Sequence, residues 1–445
     1  MEDLSPTSEV QDATGVVPAE TAPAESADDA VRAIATRSKK AARALRTASP
    51  AAKNVMLEAI AKALLANAGS IVEANAKDMA QGKADGMSFG LLDRLALTEE
   101  RIASIVDAVR HVASLPDPVG EVVRGKTLPN GLKVRQTRVP MGVIGMIYEA
   151  RPNVTVDAAV LALKSSNAVI LRGGRAALHS NKELVRVIRE AIASCKLPAD
   201  LVATVDDYGR EGSVALMRAR GLVDVVIPRG GAGLIQTVVR ESLVPVIETG
   251  VGNVHVYIDK DADLAKALPI VLNAKLHRVG VCNAAESLLV HADVADEFLP
   301  KVLREFSSEG VTIHADDETQ ALAPSSVATL PATEEDWGTE YLAKEIAIKV
   351  VGDVDEAIEH ILTYTSGHTE AIVSQNWSTV NHFVSSMDSA AVMVNASTRF
   401  TDGGELGLGA EIGISTQKLH ARGPMGLEEL TTTTWIVEGD GHVRS

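Results

Sequence analysis

Val139-Pro140-Met141-Gly142-Val143-Ile144-Gly145-Met146-Ile147-Tyr148-Glu149-Ala150-Arg151-Pro152-Asn153 runs from a hairpin, through an apolar run, into a polar turn and a helix start. A short β-branched run bounded by Gly and Pro reads as a strand buried on both faces, Val143–Ile147. Pro152 suits the first turn of a helix. The pattern recurs downstream, with Ala168–Leu171, Leu201–Val205, Val223–Ile227 and Val254–Ile258 as further strands. Helices lie between them, such as Asn181–Ala193, where Ser180 and Glu183 form a capping box. After Cys282 the alternation starts again with Leu288–Val290, Ala347–Val351, Ala371–Val373 and Ala391–Val394; Asp353 and Glu356 cap a helix between two of them. The fold class is therefore α/β, as two tandem domains with parallel sheets and a cleft between them.

Upstream of this stretch the chain is helical from about Asp28. Val31, Ile34 and Leu45, then Met56, Ile60 and Leu64, then Ile102, Ile105, Val109 and Val112 recur at three or four residues, and Thr98 with Glu99 and Glu100 marks a helix start. Glu121–Leu128 and Leu132–Val139 read as a hairpin around Asn130-Gly131, a dipeptide that supplies positive φ. The first 29 residues hold eight acids and no base, and residues 1–27 read as a disordered acidic tail.

The whole chain of 445 residues carries a formal charge of −16 and only 3% aromatic residues. Nucleic acid and anionic membranes recruit basic surfaces, so both are poor partners for it. No apolar run reaches the ~20 residues of a membrane span, and no secretory signal is evident. Two cysteines are too few for a disulfide framework, which points to a reducing, cytoplasmic setting.

Cys282 lies in Arg278-Val279-Gly280-Val281-Cys282-Asn283-Ala284, whose small residues let a substrate approach the sulfur. A lone Cys is more often a buried small hydrophobe, and Cys195, ending a helix before Leu197-Pro198, reads that way. Asn153 either caps a helix or donates its amide to an oxyanion. Arg172-Gly173-Gly174-Arg175 ends a strand, where open α/β sheets bind ligands, and is either an anion site or a solvated loop. Arg229-Gly230-Gly231-Ala232-Gly233 opens a helix whose amides suit a pyrophosphate. Glu248-Thr249-Gly250-Val251-Gly252-Asn253 places a carboxylate that is either a base or a turn cap.

The order of these motifs, with Cys282 about 34 residues after Glu248, resembles the aldehyde dehydrogenase superfamily. Finer peptides resemble its gamma-glutamyl phosphate reductase branch: Leu92-Asp93-Arg94-Leu95, Leu115–Gly120, Tyr148–Asp157, Val281–Ala284, Val394–Gly404 and Ser415–Gly426. The resemblance covers about Asp28 to Trp435. It implies reduction of L-glutamate 5-phosphate to L-glutamate 5-semialdehyde in proline biosynthesis. Cys282 would form a thioester and Asn153 would stabilise the oxyanion, with Arg278 either activating the thiol or forming a structural salt bridge. NADPH is the implied cofactor. Arg172, Gly173, Gly174 and Arg175 stand where NAD-using relatives carry a ribose-binding glutamate, so a guanidinium replaces the carboxylate that would repel a 2′-phosphate. Gly230, Gly231 and Glu340 complete the implied cofactor site. Arg399, Arg151 and Arg422 are the candidates for the substrate carboxylate or phosphate, and Asp402 or Glu149 for its ammonium.

The resemblance divides the chain into a cofactor-binding domain at 28–258 with hairpin arm strands at about 121–139, a catalytic domain at 259–414, and a return segment with a terminal strand at 415–445. The arm and the strand around Trp435–Val437 imply a homodimer or tetramer. Glutamate 5-kinase, which makes the labile substrate, is the implied channelling partner. The rival readings are an NAD-dependent aldehyde dehydrogenase, in which Glu248 activates water to cleave the thioester, and a catalytically silent member of the fold. No His spacing supports a metal site.

Overall fold

The computed structural model describes residues 26–444, so the acidic tail expected at 1–27 lies almost wholly outside the described residues. The first helix is Ala27–Arg46, capped by the Ser26 hydroxyl on the Asp29 amide. It packs with Pro50–Ala66, Ala68–Ala84 and Glu99–Ser114 around Val31, Leu45, Met56, Ile60, Leu64, Ile102 and Val109, all buried. Thr98 caps the last of these helices as expected.

The first sheet is parallel, in the order Val202–Thr204, Ala168–Arg172, Val143–Tyr148, Val225–Arg229. The chain leaves the third of these positions in opposite directions for its two neighbours, so a crevice opens at the carboxyl ends of Val143–Tyr148 and Val225–Arg229. The second sheet has seven parallel strands: Leu330–Pro331, Thr312–Ala315, Glu345–Val351, Ala285–His291, Val254–Ile258, Thr369–Val373 and Ala391–Val394. Separate apolar clusters cover its two faces, one around Phe298 and Phe306, the other around Tyr257 and Phe383. The third sheet is antiparallel and joins Val122–Thr127, Lys133–Pro140 and the terminal strand Thr431–Glu438.

Two expectations are corrected. Val254–Ile258 belongs to the second sheet, between Ala285–His291 and Thr369–Val373, so the chain crosses between domains before residue 254 and not after 258. An apolar run identifies a buried strand but does not say which sheet buries it. Ser180 and Glu183 form no capping box, because the helix begins earlier, at Leu178. The Ser180 hydroxyl instead donates to Asp78 at 2.6 Å, and Glu183 accepts from Arg186 and Ser70.

One buried ion pair ties the helical layer to the start of the arm. The Lys53 ammonium pairs with Asp117 and donates to the Lys164 carbonyl at 3.1 Å and the Ser166 hydroxyl at 2.9 Å. Lys53 is 1% exposed, so removing its partner strands a charge in the interior. Asp117→Ala is expected to lower unfolding free energy by about 3–5 kcal/mol in a denaturant titration.

Candidate active site

The carboxyl edge of the first sheet faces the amino edge of the second, and the site is built from both. From the first come Glu149, Arg151 and Asn153, after Val143–Tyr148, and Arg229, Gly230 and Gly231, after the adjacent strand; Tyr148 and Arg229 are paired in the register. From the second come Gly252, Cys282 and Glu340, which precede the strands Val254–Ile258, Ala285–His291 and Glu345–Val351. These three strands are parallel and adjacent in the sheet, so residues distant in the chain meet along one edge.

Gly252 joins them. A Cβ there would collide with the Cys282 carbonyl, and its N–H donates to Glu340 Oε1 at 2.7 Å. The Cys282 loop is held further by Arg94, which donates to the Gly280 carbonyl at 3.2 Å. The Asn283 amide donates to the Thr401 carbonyl and the Thr398 hydroxyl donates to the Asn283 carbonyl, both at 2.8 Å. Behind the loop, buried Lys275 and Glu286 pair, and Glu286 accepts the Leu342 N–H at 3.2 Å.

The resulting cleft encloses about 700 Å³. Arg94, Arg151, Arg229, Arg278 and Arg399 line it, and none of the five makes an ion pair among the described residues. Arg151 is held below its ordinary pKa by burial and then by Arg94, Arg229 and Arg278. So many uncompensated guanidinia suit a ligand with several negative charges. The Cys282 thiol is pushed up to about 12 by burial, then by Glu411 and Glu340; Arg229 opposes them. Burial thus keeps the thiol protonated, and the cations whose charge couples to it are Arg229 and Arg399, with Arg278 not among them.

Of the expected residues, Cys282, Asn153, Arg151, Arg399, Gly230, Gly231 and Glu340 share this cleft. Asn153 lies one residue inside the helix Pro152–Lys164 and does not cap it; its amide donates to Asp157 at 3.2 Å. Arg172 ends the strand next to Val143–Tyr148, and Arg175 is exposed beside it; neither is in an ion pair among the described residues, which leaves both open to an anion. Gly173 and Gly174 are packing glycines. The Gly173 N–H is taken by Asp206 at 2.7 Å, and a Cβ on Gly174 would lie 2.8 Å from the Ala150 nitrogen. The Gly231 N–H, expected to be free for a pyrophosphate, is taken by Glu149 Oε1 at 2.9 Å. Arg422 stands outside the cleft, where it donates to the Asp388 carbonyl at 2.8 Å. Glu248 is likewise absent from the lining, with its amide held by Gln417 at 3.0 Å. Arg94, Arg229 and Glu411 are members of the site that charge and motif reading did not single out, although Arg94 and Arg229 lie inside peptides that it quoted.

Two parallel sheets set edge to edge, with a cysteine on a glycine-rich loop between them, define an aldehyde-dehydrogenase-like fold. The aldehyde dehydrogenase family model matches residues 3–328. The chain is 61% identical to the gamma-glutamyl phosphate reductase of Kineococcus radiotolerans over 94% of this chain and 97% of the relative. It is 61% identical to that of Thermobifida fusca over 93% and 98%. The crystal structure of gamma-glutamyl phosphate reductase from Thermotoga maritima superposes with a TM-score of 0.91 at 48% identity, covering 93% of this chain and 100% of that one. An acetylating aldehyde dehydrogenase from Geobacillus thermoglucosidasius, 19% identical with a TM-score of 0.69, shares the fold. The chain belongs to the aldehyde dehydrogenase family and, within it, to the gamma-glutamyl phosphate reductases.

Gly252→Ala forces the Cys282 carbonyl and the Glu340 contact apart. The variant is expected to keep its circular dichroism spectrum and lose about 100-fold in kcat, since displacing a nucleophile by ~1 Å costs that much.

Proposed function

We propose that this oxidoreductase reduces L-glutamate 5-phosphate to L-glutamate 5-semialdehyde, with NADPH as reductant and release of inorganic phosphate, as a step of proline biosynthesis. The observation that carries this reading is the set of five unpaired guanidinia around a single cysteine. An acyl phosphate that also bears an α-carboxylate needs such a site, whereas an uncharged aldehyde does not. Cys282 attacks the acyl carbon, phosphate departs among the arginines, and the acyl group is held as a thioester. Asn153 and the Cys282 amide receive the oxyanion, a contribution of about 3–4 kcal/mol for such a donor. Arg399 and Arg151 take the carboxylate and phosphate ends of the substrate.

Arg172 and Arg175 would hold the 2′-phosphate of NADPH, with Gly230 and Gly231 near its pyrophosphate once Glu149 gives way, and Glu340 at the nicotinamide ribose. When bound, NADPH supplies the hydride that reduces the thioester. The hydrolytic reading, in which a base activates water against the thioester, is disfavoured because Glu248 does not line the cleft.

The three-stranded arm exposes Val122, Val123, Trp435 and Val437, an apolar surface that suits a homodimer or a dimer of dimers. A cytoplasmic setting fits a substrate delivered there by glutamate 5-kinase, whose labile product favours direct transfer.

NADP reduction with L-glutamate 5-semialdehyde is expected to require inorganic phosphate and to vanish in Cys282→Ala; turnover without phosphate would establish hydrolysis instead. Arg175→Ala is expected to raise the KM for NADPH about tenfold or more while leaving that for NADH nearly unchanged, since a hydrogen bond to a charged group contributes about 1.5–3 kcal/mol. Arg399→Ala should raise the KM for the semialdehyde far more than that for NADP, and equal effects on both would remove Arg399 from the substrate site.

A further inference from the structure

Thioester formation requires the Cys282 proton to leave, and the cleft opposes its loss to solvent. Five carboxylates line that cleft; Asp93 pairs with Arg101, which leaves Glu149, Glu340, Asp402 and Glu411. Glu149 is seated on the Gly231 amide at the helix start, Glu340 on the Gly252 amide, and Asp402 on the Gly404 amide at 2.9 Å. Glu411 uses Oε2 to accept the Gly403 N–H at 2.9 Å, and its Oε1 has no hydrogen-bond partner among the described residues.

Glu411 differs from the other three in what lies behind it. A second cavity of about 180 Å³ sits between the helices Glu99–Ser114 and Pro152–Lys164, and it contains two further titratable groups, Asp157 and His111. Glu411 is the one residue that lines both this cavity and the cleft. His111 is exposed, so the cavity leads outward, and its ring lies against the loop before Glu411: a Cβ on Gly409 would be 3.2 Å from His111 Nε2. A space of this size with polar groups on its wall accommodates water.

We propose that Glu411 accepts the proton of Cys282 and that the Asp157–His111 cavity is its connection to solvent; the inference rests on the acyl-phosphate reading above. The thiol proton passes to Glu411 Oε1 as the sulfur bonds to the acyl carbon. The carbon–oxygen bond to phosphate then breaks, and Glu411 returns that proton to the departing group, which leaves as hydrogen phosphate. After reduction of the thioester, the carbon–sulfur bond breaks. A proton drawn from solvent through the cavity then restores the thiol, so one proton is consumed in each turnover.

The electrostatics agree with this assignment. Among the charges that raise the Cys282 thiol, Glu411 outweighs Glu340. Burial raises the pKa of Glu411 itself; Asp402 adds to this, while the Gly403 amide, Arg229 and Arg399 oppose it. Asp157 is pushed up to about 6 by burial, against Arg229 and the Asn153 amide. A carboxylate held above its ordinary range is better matched to a proton transfer near neutral pH. It must be ionised to accept, so activity is lost as pH falls through its raised pKa.

The test compares wild type with Glu411→Gln, which keeps an acceptor for the Gly403 N–H and loses the basicity. NADP reduction is followed with L-glutamate 5-semialdehyde and inorganic phosphate across pH. The expected result is a kcat lower by about 100-fold, the usual scale of general base catalysis, with the semialdehyde KM little changed and the acid limb of the pH profile absent. Should the glutamine variant melt well below wild type, Glu411→Asp replaces it, and it is expected to keep the acid limb with a kcat between the two. A variant that keeps kcat and raises the semialdehyde KM would make Glu411 an anchor for the substrate ammonium, and residual activity with the wild-type acid limb would make it structural. Either result overturns the proposal. Phosphate dependence is read on wild type alone, so failure of the reductase reading appears there, and failure of the Glu411 role appears only in the ratio of variant to wild type.

Discussion

The contact between Gly252 and the Cys282 carbonyl sets the geometry on which the rest of the site depends. Two backbone segments come so close that no side chain fits between them, and the same glycine amide fixes Glu340. The turn that contains it is keyed from the other side as well. Thr249 bridges to Ser415, a Cβ on Gly250 would run into Thr416, and one on Gly413 would meet the Thr249 methyl at 2.8 Å. The return segment after residue 410 thus serves as a clamp on the turn at 248–253. That accounts for so specific a peptide as Ser415–Gly426 containing no group that reaches the cleft.

A second regularity governs charge. Of the five acids at the cleft, Asp93 pairs with Arg101, and the other four are held by glycine amides: Glu149 by Gly231, Glu340 by Gly252, Asp402 by Gly404 and Glu411 by Gly403. A backbone N–H stabilises a carboxylate without consuming a side-chain cation. The acids are therefore ordered and the five arginines stay free for the ligand. Had Glu411 or Glu340 been paired with Arg229 or Arg399, that guanidinium would be engaged and fewer donors would face an anionic ligand.

Much of the architecture was legible in the sequence because buried parallel strands are unbroken apolar runs, and Val143–Ile147 or Ala391–Val394 read as strands from composition alone. Thr312–Ala315 and Leu330–Pro331 did not, being short strands at one end of the sheet, the second of them its exposed edge, with little apolar signal to show. Val254–Ile258 was recognised as a strand but given to the wrong sheet, since pairing partners are not encoded in the run itself. Cys282 and Asn153 were found through motif order. Glu411 was not, because what distinguishes it is a position between two cavities whose walls are drawn from segments more than 300 residues apart. Arg422 was singled out by its charge and its motif, yet Asp388 holds it on the far side of the return segment.

The unpaired arginines bear on more than recognition. Arg94, Arg229 and Arg278 crowd Arg151 and disfavour its charge, a cost that unfolding would relieve. Any multivalent anion that binds the cleft and not the unfolded chain adds RT ln(1 + [L]/Kd) to stability, about 2.7 kcal/mol at a hundredfold excess over Kd. The thermal stability of this protein is in that sense open to its surroundings: the core sets a floor, and an anion that occupied the cleft would raise the protein above it.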